Sequence, residues 1–251
     1  MAQSGYGKIK LFNDFTGEEI YRPAVVHANA LGGLWNIGGG FTVKGDDING
    51  AAAAIAAVED GFNGQILCTT CSAAAADSMF VTTETCFKPS VNAPMIFETR
   101  MEMAALTNRE VFAGWVGTMA DTQTTLLTCT TEAIVYTESN LCGFAFDTGL
   151  TTDGEWHMVH SGGSTTAVVL STLLNSGVTP VINKMNVLRV EIDNNGTARW
   201  YIDGVLLKTL AGAVDPDAVF AACVGAVNTA GSSVTWAMDY IAVEANRDWT
   251  I

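Results

Sequence analysis

Glu98 and Glu102 stand four residues apart in the alternating run 97–103, so a strand there points both side chains to one face. Two carboxylates on one face are what acid–base cleavage of a glycosidic bond uses. Arg100 lies between them on that face. A guanidinium there keeps both carboxylates ionised and lowers the pKa that a proton donor needs raised. The expected role is a salt-bridged outer face, and Glu191 and Asp193, either side of Ile192, receive the same reading.

Cys68 and Cys71 have the C-x2-C spacing of zinc sites, with Cys86 downstream and His27 as a loose fourth, but no second close pair completes the set. Buried or interface thiols are expected for all six cysteines: Cys68, Cys71, Cys86, Cys129, Cys142 and Cys223. His27, His157 and His160 lack a Ser nucleophile and an Asp partner at supportive spacing, so no triad is read. The glycine-rich segments 38–40 and 161–164 neither follow a strand nor open a helix as phosphate cradles do, and read as loops. Asp46, Asp47, Asp147, Asp153, Asp215 and Asp217 are loop acids that could coordinate calcium, yet without EF-hand spacing they read as solvated turns. Trp115, Trp200 and Trp236 fall in core registers, which leaves Trp35, Trp156 and Trp249 as candidate surface aromatics. The expectation is therefore no catalytic, cofactor-binding or metal-binding residue, with calcium the one cofactor kept open.

The elements that would position these groups are strands. Leu188, Val190 and Ile192 alternate with Arg189, Glu191 and Asp193, Asn194-Asn195-Gly196 supplies a tight turn, and Ala198, Trp200 and Ile202 alternate again before Asp203-Gly204. Phe97, Thr99, Met101 and Met103 alternate with Glu98, Arg100 and Glu102, and 111–118 reads as the returning strand. Further strands are expected at 64–69, 79–82, 124–130, 133–137, 143–147, 156–161, 166–170, 219–228 and 233–243, the rhythm of a sandwich or barrel. Only 50–59, with its alanine run, has helix propensity.

Composition narrows the partners. The chain of 251 residues is 49% hydrophobic and only 15% charged, which argues for a full core and a surface partly covered by neighbours. Its 26 acidic against 12 basic residues give a net charge of -14, and no basic cluster offers a footprint for nucleic acid. The N-terminal residues are polar, and no stretch approaches the roughly 18 apolar residues of a membrane span. Synthesis in a host cytoplasm, with no membrane partner, is expected.

Four blocks carry a resemblance: 64–69 with 75–79 and Phe87, 94–100 with 114–117, 186–193 with 200–204, and 238–243. Together they resemble the concanavalin A-like, laminin-G-type jelly rolls of tailed-bacteriophage structural proteins, over roughly 64–249. The resemblance implies an all-β sandwich of two antiparallel sheets with at most one short helix, as one domain over 1–251 with 1–20 as an extended N-terminal arm. By analogy it implies a non-enzymatic virion protein on the outer capsid surface, a homo-oligomeric decoration protein binding the major capsid protein and other virion proteins. The alternative is a glycan-binding adhesin module of a head or tail fibre, which predicts exposed Trp or Tyr beside loop carboxylates. A glycosidase ranks behind both, because the sandwich-fold glycosidases this architecture resembles carry E-x-D-x-E or E-x-D-x-x-E on one strand, and Arg100 occupies the middle position here.

Overall fold

The computed structural model describes residues 7–16, 35–48, 53–58, 64–72, 75–150 and 154–247. In chain order the strands are β1 (Lys8–Asn13), β2 (Trp35–Gly38), β3 (Phe41–Lys44), β4 (Ala54–Ala57), β5 (Ile66–Thr69), β6 (Ser78–Thr82), β7 (Met95–Met103), β8 (Arg109–Val116) and β9 (Leu127–Thr130). They continue as β10 (Ala133–Tyr136), β11 (Leu141–Asp147), β12 (His157–Ser161), β13 (Asn186–Ile192), β14 (Ala198–Ile202), β15 (Val205–Leu210), β16 (Ala221–Asn228) and β17 (Thr235–Asn246). The helical content described is the short α1 (Pro89–Asn92) and a 3-10 turn at Ser171–Leu173.

Two antiparallel sheets form the sandwich that the resemblance implies. The first runs β15-β14-β13-β7-β17-β5-β4, and the far edge of β17 is shared, its start pairing with β5 and its end with β1. Here the period-2 reading holds residue by residue: Met95, Phe97, Met101 and Met103 are buried while Ile96, Glu98, Arg100 and Glu102 face outward. The second sheet runs β12-β11-β8-β16-β6-β3-β2. Its central strands are buried on both faces. Val111, Ala113, Trp115, Phe144, Phe146, Val224 and Ala226 pack into the inter-sheet core. On the other face Phe112, Val116, Leu141, Ala145, Ala221 and Cys223 meet Leu126, Leu127, Ile134 and Leu174, so the β9–β10 hairpin and the 3-10 turn cover that face as a third, partial layer.

Two tryptophans tie the sheets together. Trp200 Nε1 on β14 donates to the Gly143 carbonyl on β11 (2.9 Å), and Trp115 Nε1 on β8 donates to the Val190 carbonyl on β13 (3.4 Å). Close approach at Gly143 is obligatory, since an added Cβ would stand 2.6 Å from both the Ala113 carbonyl oxygen and Phe112 Cζ. Gly143→Ala is therefore expected to destabilise the protein by roughly 1–3 kcal/mol, read as a lower urea midpoint at unchanged slope.

Three local expectations are corrected. Residues 54–57 are not helical but form β4, an edge strand on β5; an isolated alanine-rich stretch of this length barely sustains a helix, and the open edge of β5 offers its backbone a ladder. Residues 166–170 form no strand, Leu170 making one bridge to Ala133 before the 3-10 turn. Within the expected arm, residues 8–13 are a strand of the first sheet, because the end of β17 runs past β5 and leaves an edge for β1. Residues 1–6 and 17–20 lie outside the described residues.

Candidate functional site

The Glu98 face is the salt-bridged surface that Arg100 foretold, with different partners. Arg100 Nη1 reaches Asp239 Oδ2 (2.5 Å), while Glu98 takes Arg189 Nη1 (3.3 Å) and the Tyr240 hydroxyl (2.7 Å). Arg189 also holds Glu191, which accepts from Tyr201, and Arg199 grips Asp193 through both Nη atoms (2.7 and 2.9 Å). Burial pushes the Tyr240 hydroxyl up, and the Glu98 carboxylate adds to the shift. A shallow depression of about 200 Å³ lies among Glu98, Arg189, Glu191 and Tyr201. The two carboxylates that line it, Glu98 and Glu191, are both paired.

The second sheet brings together a different pair. β8 begins at Arg109, two residues before the expected start, and this draws Glu110 into the sheet. Glu110 then stands in direct antiparallel register with Asp147 at the end of β11. Opposed residues on one face have Cβ atoms roughly 4.5–5.5 Å apart, close enough for two carboxyls to flank one bond. Both line a cavity of about 480 Å³ whose wall is otherwise polar and small, including Asn108, Thr125, Thr128 and Thr148. Asp147 had been read as a loop acid beside Asp153; it ends a strand, and Asp153 lies outside the described residues.

Their environments differ. Glu110 is 2% exposed, and burial pushes its carboxyl up to about 8, with the Asp147 charge adding to the rise against hydrogen bonds from Thr125 and the Leu126 and Leu127 amides. Thr125 Oγ1 contacts both a Glu110 carboxyl oxygen and the Leu127 carbonyl, and it has one hydrogen. Asp147 is also raised by burial, but the Gly149 amide (2.6 Å), Cys129 and the nearby His157 oppose the rise. The pair thus combines an acid protonated at neutral pH with a carboxylate better supported in its charged form.

The other candidates disperse. Trp115, Trp200 and Trp236 are fully buried as expected, but Trp156 is too (1% exposed), its ring edge-on to Phe146 and its Nε1 on Asn186 Oδ1 (3.4 Å). It is no surface platform, because the loop leading into β12 turns its ring into the core. Asp217 accepts from Lys88 (2.9 Å) and Ser90 (3.0 Å) in a surface turn with Asp215. His157 and His160 are buried on β12. The segment 38–40 is the β2–β3 turn, and 161–164 leaves β12 as a loop. Cys68, Cys71, Cys142 and Cys223 are buried free thiols, Cys129 is half-buried and Cys86 is exposed. His27, Trp249 and the side chain of Trp35 lie outside the described residues. Among the described residues no helix is long and apolar enough to cross a membrane.

Neither a protein-family model nor a curated protein sequence matches the chain. Solved structures do. A protein of unknown function from Shewanella oneidensis MR-1 superposes with a TM-score of 0.60 at 9% identity, covering 100% of this chain and 92% of its own. A β-glucanase from Bacillus licheniformis gives 0.54 at 13% identity, covering 98% and 100%. A Bacteroides ovatus GH16 protein of a mixed-linkage glucan locus, solved with an oligosaccharide product, gives 0.54 at 11%, covering 92% and 98%. The fold is that of the concanavalin A-like and GH16 jelly rolls. The expectation of a non-enzymatic capsid decoration protein is corrected by the same neighbours: two of the three are named for glucans, and none of the three is named as a capsid protein. The resemblance pointed to the architecture, which jelly rolls of unlike function share, and carried no capsid-specific residue.

Proposed function

We propose that the chain is a carbohydrate-active protein that binds a saccharide in the cavity at Glu110 and Asp147 and cleaves a glycosidic bond there, with Glu110 as proton donor. The observation that carries this reading is the adjacent pair itself: two carboxyls in register on one cavity wall, Glu110 pushed up to about 8 by burial and Asp147 raised by burial against the opposing Gly149 amide. Glu110 gives its proton to the leaving oxygen as the glycosidic C–O bond breaks and Asp147 attacks the anomeric carbon; a water that loses its proton to Glu110 then displaces Asp147, releasing the sugar and restoring both carboxyls. Thr125, Thr128, Thr148 and Asn108 supply the hydroxyls and amide that sugar hydroxyls pair with. The glucan-related names of two neighbours support β-linked glucans as the substrate class.

Incubation with mixed-linkage β-glucan, followed by reducing-end assay, tests the proposal. Cleavage is expected in the wild type and a loss of about 10²-fold or more in Glu110→Gln and in Asp147→Asn. Cleavage unchanged in both variants, or no cleavage across β-linked glucans, overturns it.

A second reading, glycan binding without cleavage, draws on the outer face of the first sheet, where Tyr201 and Tyr240 stand half-buried beside Glu98 and Glu191 and Phe12 is exposed next to Tyr240. Retention on immobilised glucan that is lost in Tyr201→Ala and kept in Glu110→Gln would select it.

A further inference from the structure

The sequence divides its candidate metal ligands between a cysteine motif and loop acids, and the fold recombines them. Among the described residues, Asp47, Cys71 and Asp77 bring one sulfur and two carboxylate oxygens within 4.8 Å of one another. Cys68, the other half of the C-x2-C spacing, points into the core from β5 instead.

Each of the three is fixed by backbone bonds from a different part of the chain. The turn carrying Asp47 is held where the Asp46 amide donates to the Gln123 carbonyl (3.1 Å) and to Ser78 Oγ (2.9 Å), and the Ser78 amide returns a bond to the Asp46 carbonyl (3.2 Å). Cys71 follows Thr70, whose amide and hydroxyl both bond Val234, and its carbonyl accepts from Asn228 Nδ2 (3.4 Å). The Asp77 carbonyl accepts from the Asn228 amide (2.9 Å). The decisive feature is Cys71 itself. It is 4% exposed and free of any disulfide, and its sulfur lies within 4.8 Å of an oxygen of each of two carboxylates. A thiolate and two carboxylates held this close repel one another unless a cation lies between them.

We infer that Asp47, Cys71 and Asp77 form a binding site for a zinc-type divalent cation. The donor set selects the metal class: one thiolate with two carboxylates suits zinc or cobalt, while calcium asks for six to eight oxygens. Zn–S near 2.3 Å and Zn–O near 2.1 Å in a tetrahedron put S and O roughly 3.6 Å apart, within reach of small rotations from the present separations. The buried Cys71 and Asp77 form the floor, and the exposed Asp47 closes the site towards solvent, where water completes the fourth position. Ala75 and Ala76, just before Asp77, line the cavity of Glu110 and Asp147, so the bound ion would also clamp one wall of that cavity.

The test uses the full chain, stripped with chelator under reducing conditions and titrated with cobalt(II), then with zinc. The expected result is a thiolate-to-cobalt charge-transfer band and tetrahedral visible bands that saturate at one equivalent and are bleached by one equivalent of zinc. Cys71→Ser abolishes the charge-transfer band, Asp77→Asn and the exposed Asp47→Asn each weaken binding at least roughly tenfold, and Cys86→Ser, at an exposed thiol outside the site, changes nothing. Near-ultraviolet circular dichroism shows that each variant is folded, and Asp47→Asn keeps the test decisive if a buried variant is not. No saturable band, a band that survives in Cys71→Ser, or calcium outcompeting cobalt overturns the inference. Glucan cleavage plays no part in these readouts, so they stand or fall separately from the proposed function.

Discussion

Unfolding free energy is expected to fall as the pH rises from about 4.5 to about 8, and Glu110→Gln is expected to remove most of that slope. In the unfolded chain Glu110 ionises near 4.5, whereas in the fold it keeps its proton to about 8. Between these values the folded state binds more protons than the unfolded one, so stability decreases with pH. The contribution is complete below 4.5 and lost as pH passes 8. The full shift corresponds to roughly 4–5 kcal/mol at this 2%-exposed site. Asp147, Asp46 and Glu138 are also raised by burial and slope the same way, so the difference between wild type and variant is what isolates Glu110. Gln keeps the shape of the neutral acid, with its carbonyl accepting from the Leu126 and Leu127 amides. Urea melts of both proteins at several pH values give the result, and parallel pH profiles would mean that Glu110 does not carry the buried proton. Under the proposed function the same proton would set the alkaline limb of glucan cleavage, with kcat/KM expected to fall as pH passes about 8.

Trp200→Ala is expected to cost about 3–5 kcal/mol, a drop of roughly ten degrees in Tm for a chain of this size. The ring is wholly buried on β14, and its Nε1 makes one of the two indole bonds that cross between the sheets. Removing it opens a cavity at the inter-sheet seam and takes a donor from the Gly143 carbonyl, in a strand where the Gly143–Phe112 contact leaves no room for neighbours to slide inward. Trp200→Phe, which refills most of the volume without the donor, is expected to recover more than half of the loss. A Tm for Trp200→Ala within a degree or two of wild type would show that the seam relaxes and that the two sheets are held elsewhere.

The first sheet was legible because one of its faces meets water. Arg189, Glu191, Arg199 and Tyr201 mark the outer face and Leu188, Val190, Trp200 and Ile202 the inner, so alternation and structure coincide. The second sheet has no such contrast. With β8, β11 and β16 buried on both sides, the sequence shows apolar runs that locate strands without saying what lies above them, and the covering hairpin was invisible. Glu110 was missed for a related reason: the expected strand began at 111, one residue after it, and only the register of β8 against β11 sets it beside Asp147. Its one local signal was an acid leading directly into a long apolar run. The early strands β1 to β4 are short, three of them sit at sheet edges, and the partner of β1 lies at the far end of the chain, so local pattern had little to report.

The arginines of the first sheet's outer face govern what kind of polymer can come near. Arg100, Arg189 and Arg199 are each engaged by carboxylates, so none of the three is loose to pair with a chain bearing sulfate or uronate groups. With acids outnumbering bases 26 to 12 over the whole chain, an anionic polysaccharide meets repulsion over a screening distance of about 8–10 Å before any contact forms. An uncharged one passes through the same field without cost, which makes neutrality of the ligand the first filter the protein applies.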